Sequence, residues 1–256
     1  MSDTGVKNLI PTIKQAGEAL MSLWPGSRNG GQALTITAKN DGTFVSQADI
    51  KSNQIILDGI SRLYPDDAML SEESVHDISA LKKASRVWVV DPLDGTSSFI
   101  AGRDDFSILV ALVEDKTPTH GVMYFPARGL LVTAEHGRGA YLNGGRLQVS
   151  SAKELGEGRV YIRNFECARP ELACPMMDSG LAFLKVATGE LDGAIIQMTT
   201  HREWDIAAPM AVLFEAGGLV TDETGSPIKC GIGQITYKFV VASNRALNKQ
   251  LQALIA

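Results

Sequence analysis

Residues 88–96 read Trp-Val-Val-Asp-Pro-Leu-Asp-Gly-Thr, and this stretch decides the fold. The apolar run from Val87 to Val90 predicts a buried strand. Asp91 and Asp94 follow that strand and flank a proline, whose ring fixes φ and stiffens the turn. Open α/β sheets bind ligands in the crevice at the carboxyl ends of their strands. Both carboxylates are therefore expected to face one point in such a crevice.

The residues after the second aspartate favour a helix start. Gly95 precedes Thr96, Ser97 and Ser98, small hydroxyl residues that suit the beginning of a helix, where free backbone N–H groups attract an anion. Hard carboxylate oxygens beside an anion pocket indicate Mg²⁺ and phosphate. Asp-Pro and Asp-Gly are also ordinary turn dipeptides, so a purely structural turn stays open on this segment alone.

A second acidic segment favours a functional site. Residues 69–74 place Glu72 and Glu73 directly after a short apolar run, again at an expected strand end. A solvated loop is the alternative for these two acids.

A helix with a clear stop signal is predicted over the later part of residues 203–218, because a Gly pair ends it. Proline is tolerated only in a first turn, so Pro209 predicts that the helix begins near residues 206–208. Asp205 then lies at its N-terminus, where a structural N-cap is the alternative to a functional role.

These segments together resemble the three signatures of the inositol monophosphatase superfamily, which are Mg²⁺-dependent, lithium-sensitive phosphatases. The matching runs are residues 70–73, residues 91–96 with Phe99, and residues 204–208 with residues 215–218. Their order and spacing match, and the similarity runs through most of the chain. The resemblance implies an α/β fold, a layered α-β-α-β-α sandwich, with an α+β N-terminal half and an α/β C-terminal half.

Within the superfamily, the chain looks most like the bacterial 3′(2′),5′-bisphosphate nucleotidases. The runs that carry this similarity are residues 46–49, 55–60, 64–67, 70–73, 102–106 and 203–209. The resemblance implies a small phosphorylated metabolite as substrate and a homodimer in the cytoplasm.

The resemblance also implies two or three Mg²⁺ ions per site. Glu72, Asp91 and the backbone carbonyl of Leu93 hold one ion in this interpretation. A second ion is held by Asp91, Asp94 and Asp205.

The remaining implied roles concern water and substrate. Asp49 and Glu72 orient the attacking water or support a further metal ion, and the Thr96 hydroxyl donates or accepts a hydrogen bond with that water. The phosphate is received by the N–H groups of Gly95 and Thr96. Ser179 and Lys39 are the further substrate-binding residues, with Lys39 on a loop that closes over the site.

Two departures from the family pattern bear on the substrate. Inositol-type enzymes carry a glutamate seven residues before the helix aspartate, and this position is Met198. Nucleotidases usually carry a lysine in the segment that matches residues 178–182, and that lysine is missing. Lys185, Arg163 and Arg169 are the candidates to replace it. The chain between residues 151 and 178 also looks shorter than the family norm.

Composition fits a globular enzyme. The 256 residues are 45% hydrophobic and 21% charged, which are ordinary values for a globular protein. The net charge is −5. If such an acidic chain acts on an anion, bound cations are needed to make the local electrostatic potential positive. There is no dense basic cluster for a nucleic acid polymer, no stretch long enough to span a membrane and no signal-peptide pattern. Three cysteines without framework spacing favour reduced thiols in the cytoplasm.

The periodicity predicts two halves. Helices are expected over residues 6–23 and 48–64, followed by strands and a hairpin to residue 145 and then by alternating strands and helices. This pattern predicts an N-terminal half, 1–145, and a C-terminal half, 146–256, with the site in the crevice between them. His201 is expected at the surface or supporting the site rather than ligating metal.

Three functional hypotheses follow. The first is a nucleotidase that removes the 3′ phosphate from adenosine 3′,5′-bisphosphate. The second is a phosphatase for inositol phosphate or another small sugar or alcohol phosphate. The third is a catalytically weak family member that acts as a binding protein, against which the full set of carboxylates argues.

Overall fold

The computed structural model describes residues 5–27, 35–38 and 44–255, and Lys39 lies outside these ranges. The α-helices are α1 Ile10–Leu23, α2 Gln47–Leu63, α3 Ile78–Lys83, α4 Thr96–Ile100, α5 Ser179–Ala187, α6 Glu203–Glu215 and α7 Asn248–Gln252. The strands are β1 Ile36–Ala38, β2 Phe44–Ser46, β3 Ala68–Ser71, β4 Arg86–Asp94, β5 Ser107–Glu114, β6 Thr117–Phe125, β7 Leu130–Glu135, β8 Gly139–Leu142, β9 Gly145–Arg146, β10 Val160–Arg163, β11 Gly193–Gln197, β12 Gly218–Thr221 and β13 Phe239–Asn244.

Two sheets dominate the structure. The larger has seven strands in the order β3-β4-β5-β6-β7-β8-β9, and only β3 and β4 run parallel. The smaller has the order β10-β11-β13-β12, with β10 parallel to β11. Helices α1 and α2 pack on one face of the large sheet, α5 and α6 lie between the sheets, and α7 covers the small sheet. This arrangement confirms the predicted α-β-α-β-α sandwich.

Strand β4 is buried on both faces, which explains its uninterrupted apolar run. Trp88 and Val90 join the core beneath α1 and α2, whereas Val87 and Val89 join the core shared with α5 and α6. This alternation is the two-residue period of a strand. The predicted end of the strand before Asp91 is wrong, because β4 continues through Asp94. Its pairing with β5 shifts register between Asp91 and Asp94, which accommodates Pro92.

The predicted start of α6 is wrong. The helix begins at Glu203, three residues before the predicted range, and Pro209 lies inside it. Proline has no N–H to donate to the carbonyl four residues earlier, which disfavours an interior position. Here tertiary packing outweighs that cost, because every residue from 206 to 213 is buried.

A glycine on β6 lets α6 approach the large sheet closely. A Cβ at Gly121 would lie 2.8 Å from the Ala208 carbonyl oxygen and 3.0 Å from the Ala211 Cβ. The small residues of α6 therefore meet a strand position without a side chain. This contact lets the middle of α6 lie directly on β6.

Strand membership changes along the chain. Strands up to Arg146 belong to the large sheet or the β1–β2 pair, and strands from Val160 onward belong to the small sheet. The division into separate halves at residue 145 stays a prediction. Residues 151–178 contain β10 and a short 3₁₀ turn, Pro170–Leu172, and no α-helix. Among the described residues, no helix is both long enough and apolar enough to cross a bilayer.

Candidate active site

Three aspartates from two distant parts of the chain meet between the sheets. Asp91 and Asp94 lie at the end of β4, and Asp205 lies in the first turn of α6. One carboxylate oxygen from each lies within 4.8 Å of the other two. Asp91 is 1% exposed and Asp94 is 4% exposed. The predicted convergence of these side chains is therefore a feature of the fold.

The surroundings of this carboxylate cluster favour a cation. Burial, followed by the charges of Glu72 and Asp205, raises the pKa of Asp91. Burial also raises the pKa of Asp205 to about 7. Within the described part of the chain, no side-chain nitrogen of a Lys, Arg or His lies within 4.0 Å of a carboxylate oxygen of Asp91, Asp94 or Asp205. Hard, anionic oxygens without a cationic side-chain partner are the donor set that fits Mg²⁺.

Local hydrogen bonds hold each aspartate in place. The Asp91 Oδ1 accepts from the Leu93 N–H at 3.0 Å, and the Ser107 hydroxyl donates to the Asp94 Oδ2 at 3.1 Å. The Asp205 Oδ2 accepts from the Arg202 N–H at 2.5 Å, which caps the start of α6. Asp205 is therefore not the N-cap that was the structural alternative considered from the sequence, because the N-cap is Arg202. Asp205 is the third residue of α6, and it belongs to the cluster as well.

The Thr96 hydroxyl sits between two acceptors. Its Oγ1 lies 3.0 Å from the Asp49 Oδ1 and 3.1 Å from the Leu93 carbonyl oxygen. The other Asp49 oxygen accepts from the N–H and the hydroxyl of Ser46 at the start of α2. Asp49 is 1% exposed and lies behind Thr96 rather than on the cavity wall. The hydrogen bond from Thr96 connects Asp49 to the cavity lining.

Gly95 requires its glycine for two reasons. Its φ is 81°, in the left-handed region, as it caps α4. A Cβ there would lie 2.8 Å from the Asp178 Oδ2. Asp178 also shares a hydrogen bond with Asp94. Burial, followed by the charges of Asp178 and Asp91, raises the pKa of Asp94 well above its usual value. Asp178 is a further carboxylate of the site that sequence reasoning missed.

The site is a cavity of about 340 Å³. Its lining is Glu72, Asp91, Leu93, Asp94, Gly95, Thr96, Ser97, Arg163, Asp178, Ser179, Thr200, His201, Arg202, Trp204 and Asp205. The predicted site residues are therefore together in this cavity, apart from Asp49 behind Thr96 and Lys39 outside the described residues. The roles assigned to them stay predictions.

His201 is not at the surface. It is 6% exposed and lines the cavity, so the surface position considered from the sequence is wrong. Burial, helped by the charges of Arg163 and Arg202, lowers the pKa of His201 to about 4. The imidazole is therefore neutral at pH 7, and the positive charge on this wall comes from the two arginines. No pattern in the sequence marks Arg202 as a cavity residue, because its position follows from the packing of α6.

A fold and a site of this kind define a metal-dependent phosphatase of small molecules. The sequence profile of the inositol monophosphatase family matches residues 3–256, and the chain belongs to that family. The family's phosphatases are Mg²⁺-dependent.

Relatives with different names are similar to this chain. It is 33% identical over 239 residues to a histidinol-phosphatase of Chlorobaculum parvum, with 88% of each chain covered. It is 31% identical over 238 residues to the 3′(2′),5′-bisphosphate nucleotidase of Aggregatibacter actinomycetemcomitans, covering 87% of this chain and 86% of that one. The solved structure of the Thermotoga maritima IMPase superposes with a TM-score of 0.83 at 26% identity, covering 98% of this chain and 96% of that one.

Proposed function

We propose that this chain is a Mg²⁺-dependent, lithium-sensitive phosphatase that removes the 3′ phosphate from adenosine 3′,5′-bisphosphate. The observation that carries the proposal is the lining of the cavity, which includes both a cluster of carboxylates and two arginines. A substrate with a phosphate at each end suits such a cavity. The similarity to a bisphosphate nucleotidase supports the same substrate class. We further propose a homodimer in the cytoplasm, as the family resemblance implies.

The proposed metal ligands are those of the carboxylate cluster with two neighbours. Asp91, Asp94 and Asp205 would hold one Mg²⁺, and Glu72, Asp91 and the Leu93 carbonyl would hold another. Bound there, Mg²⁺ supplies an activated water, charge neutralisation for the phosphate and stabilisation of the leaving oxygen in an in-line displacement.

The protein's own groups would position the other reactants. The N–H groups of Gly95 and Thr96, at the start of α4, would receive the phosphate oxygens. The Thr96 hydroxyl, held between Asp49 and the Leu93 carbonyl, would orient the attacking water. Because Asp49 is itself fixed by two bonds from Ser46, this hydroxyl is pre-organised before substrate binds.

The position that carries a glutamate in inositol-type enzymes has no carboxylate in this chain. Met198 occupies the position where inositol-type enzymes carry a glutamate, and its side chain packs against the hydrophobic core rather than lining the cavity. A site built to bind hydroxyls discriminates strongly, whereas a site without those acceptors does not. Inositol phosphate is therefore the second candidate, supported by the similarity to an IMPase structure but disfavoured by Met198.

We expect a higher kcat/KM for adenosine 3′,5′-bisphosphate than for inositol 1-phosphate. The comparison is made on the purified protein at one Mg²⁺ concentration and one ionic strength. Histidinol phosphate belongs in the same panel, because a relative carries that name. A higher kcat/KM for inositol 1-phosphate or histidinol phosphate would reject the proposed substrate while leaving the phosphatase assignment intact.

Lithium is expected to inhibit. The family resemblance implies that Li⁺ replaces one Mg²⁺ and traps product at sub-millimolar to millimolar concentrations. Millimolar Ca²⁺ is expected to inhibit as well, since it prefers a larger and looser coordination shell. Initial rates are measured at fixed Mg²⁺ with LiCl, and with NaCl at equal ionic strength as the control. A LiCl concentration of about 50 mM is far above the concentration expected to saturate a specific Li⁺ site. Full activity at that concentration would contradict the proposed metal arrangement.

A further inference from the structure

The loop between β3 and α3, residues 72–77, begins with Glu72 of the cavity lining. Its first half is tied to helix α2 through Asn53. The Ser71 hydroxyl donates to the Asn53 Oδ1 at 2.6 Å, and the Asn53 Nδ2 donates to the Ser74 hydroxyl at 3.3 Å. The loop is therefore anchored to α2 immediately around Glu72.

The second half of the loop meets the first turn of α6. The His76 and Trp204 rings have their centroids 6.2 Å apart, with their planes inclined at 49°. Tilted aromatic pairs at such distances attract each other. Trp204 lines the cavity and immediately precedes Asp205. This ring contact thus joins the loop that carries Glu72 to the helical turn that carries Asp205.

Helix α3, which follows the loop, has a separate anchor to the same turn of α6. Residues 231–234 donate backbone N–H groups to the Glu203 carboxylate. The same residues lie tightly against α3, since a Cβ at Gly233 would be 2.5 Å from the Ile78 Cδ1. His76 therefore lies between two anchors, one on α2 and one through residues 231–234. Loss of its ring leaves both anchors in place.

The position of this loop matters because it brings like charges together. The charge of Glu72 acts on the buried Asp91, and two carboxylates repel each other unless a cation lies between them. Repulsion favours movement of Glu72 away from the site, and the ring contact opposes it. When a binding-competent arrangement is populated only part of the time, the apparent affinity for the ligand falls by that fraction.

We propose that His76 is a positioning residue for the metal site, whose ring packs on Trp204 and holds the Glu72 loop against the turn that carries Asp205. This inference rests on the proposed function for the identity of the metal ligands. It adds a residue that does not itself line the cavity but sets the affinity for Mg²⁺. Groups that orient metal ligands commonly affect metal affinity in this way.

The test measures Mg²⁺ binding directly. The full chain is freed of metal with a chelator and titrated with Mg²⁺ in a calorimeter. We expect His76→Ala to raise the Kd for Mg²⁺ by about 2- to 10-fold, the worth of one aromatic pair. The Mg²⁺ concentration that gives half-maximal phosphatase rate is expected to rise by the same factor. The kcat at saturating Mg²⁺ is expected to stay unchanged, because the bound metal then holds Glu72 in place.

Two further variants separate the ring contact from other effects. His76→Phe keeps an aromatic ring and is expected to bind Mg²⁺ nearly as tightly as the wild type. Val75→Ala is the matched control, since it truncates the neighbouring, fully exposed side chain and is expected to change nothing. Equal losses in His76→Phe and His76→Ala would overturn the role of the ring. A lower thermal unfolding midpoint of His76→Ala with unchanged Mg²⁺ affinity would assign His76 a purely structural role and overturn the proposal.

The calorimetric measurement also separates this inference from the proposed function, because it uses no substrate. If the wild type prefers another phosphorylated metabolite, the substrate assignment fails and the difference in Mg²⁺ affinity remains. If the wild type binds Mg²⁺ and His76→Ala binds it equally tightly, only the positioning role is rejected. If the wild type binds no Mg²⁺, the proposed metal-dependent function fails and the positioning role falls with it.

Discussion

Asp94→Asn is expected to reduce kcat by about 100-fold or more while the protein stays folded. Asp94 is a member of the carboxylate cluster, and its replacement by a neutral amide removes a negative charge from the proposed cation site. Loss of one group that stabilises a developing charge commonly costs this much in rate. The amide keeps the volume of the side chain and can still accept from Ser107 and donate to Asp178. Turnover is measured at saturating Mg²⁺, and folding is checked by circular dichroism and thermal unfolding.

Asp58→Asn is the matched control, because it makes the same change from a carboxylate to an amide at a residue outside the cavity lining. Asp58 is exposed on α2, where it accepts from Gln54 at 2.8 Å, and it does not line the cavity. Its replacement is expected to leave kcat unchanged. Near wild-type turnover of Asp94→Asn would show that Asp94 does not ligate a catalytic metal. A thermal unfolding midpoint far below that of the wild type would instead mean that the carboxylate is needed for the fold.

The part of the site that could be predicted from the sequence is the part set by local rules. The apolar run before Asp91 marks a buried strand, so both aspartates could be placed near a strand end. The turn predicted between Asp91 and Asp94 is wrong, because β4 continues through these residues with a shift of register. Their meeting with Asp205 came from the family resemblance. Periodicity alone does not say which helix packs against which strand end.

The start of α6 could not be predicted because tertiary packing outweighs the local preference of proline for the first turn of a helix. Pro209 argues for a helix that begins after residue 205 when the helix is considered alone. In the fold, α6 is buried between two sheets and lies against Gly121, so the helix extends one turn further back. That extra turn puts Asp205 inside the helix, with its side chain returning to the Arg202 N–H.

The charged residues of the cavity lining could not be predicted from the sequence either. Arg163, Lys185 and Arg169 are equivalent in the sequence, and only their partners in the fold distinguish them. Asp178 caps α5, a common local role for aspartate, and nothing in the sequence shows that its carboxylate also meets Asp94. Contacts between residues far apart in the chain decide both cases.

Glu203→Ala is expected to destabilise the protein by roughly 3 kcal/mol or more and to lower activity with it. Glu203 is 2% exposed in the first turn of α6. Its carboxylate accepts three backbone N–H groups of one loop, from Gly231 at 2.6 Å, Ile232 at 3.1 Å and Gln234 at 2.9 Å. Each buried donor left unpaired costs about 1–3 kcal/mol. The free energy of unfolding is measured by urea denaturation.

The same loop contact explains why activity should fall as well. Glu203 ties residues 231–234 to the turn that carries Asp205, so its loss frees the helix start that positions a proposed metal ligand. Glu190→Ala is the matched control, because that glutamate is exposed and pairs with Lys185 at the surface, where an ion pair contributes less than about 1 kcal/mol. If Glu203→Ala unfolds at the same urea concentration as Glu190→Ala, the loop does not depend on this carboxylate. If it is destabilised but keeps full kcat, the loop stabilises the fold without positioning Asp205.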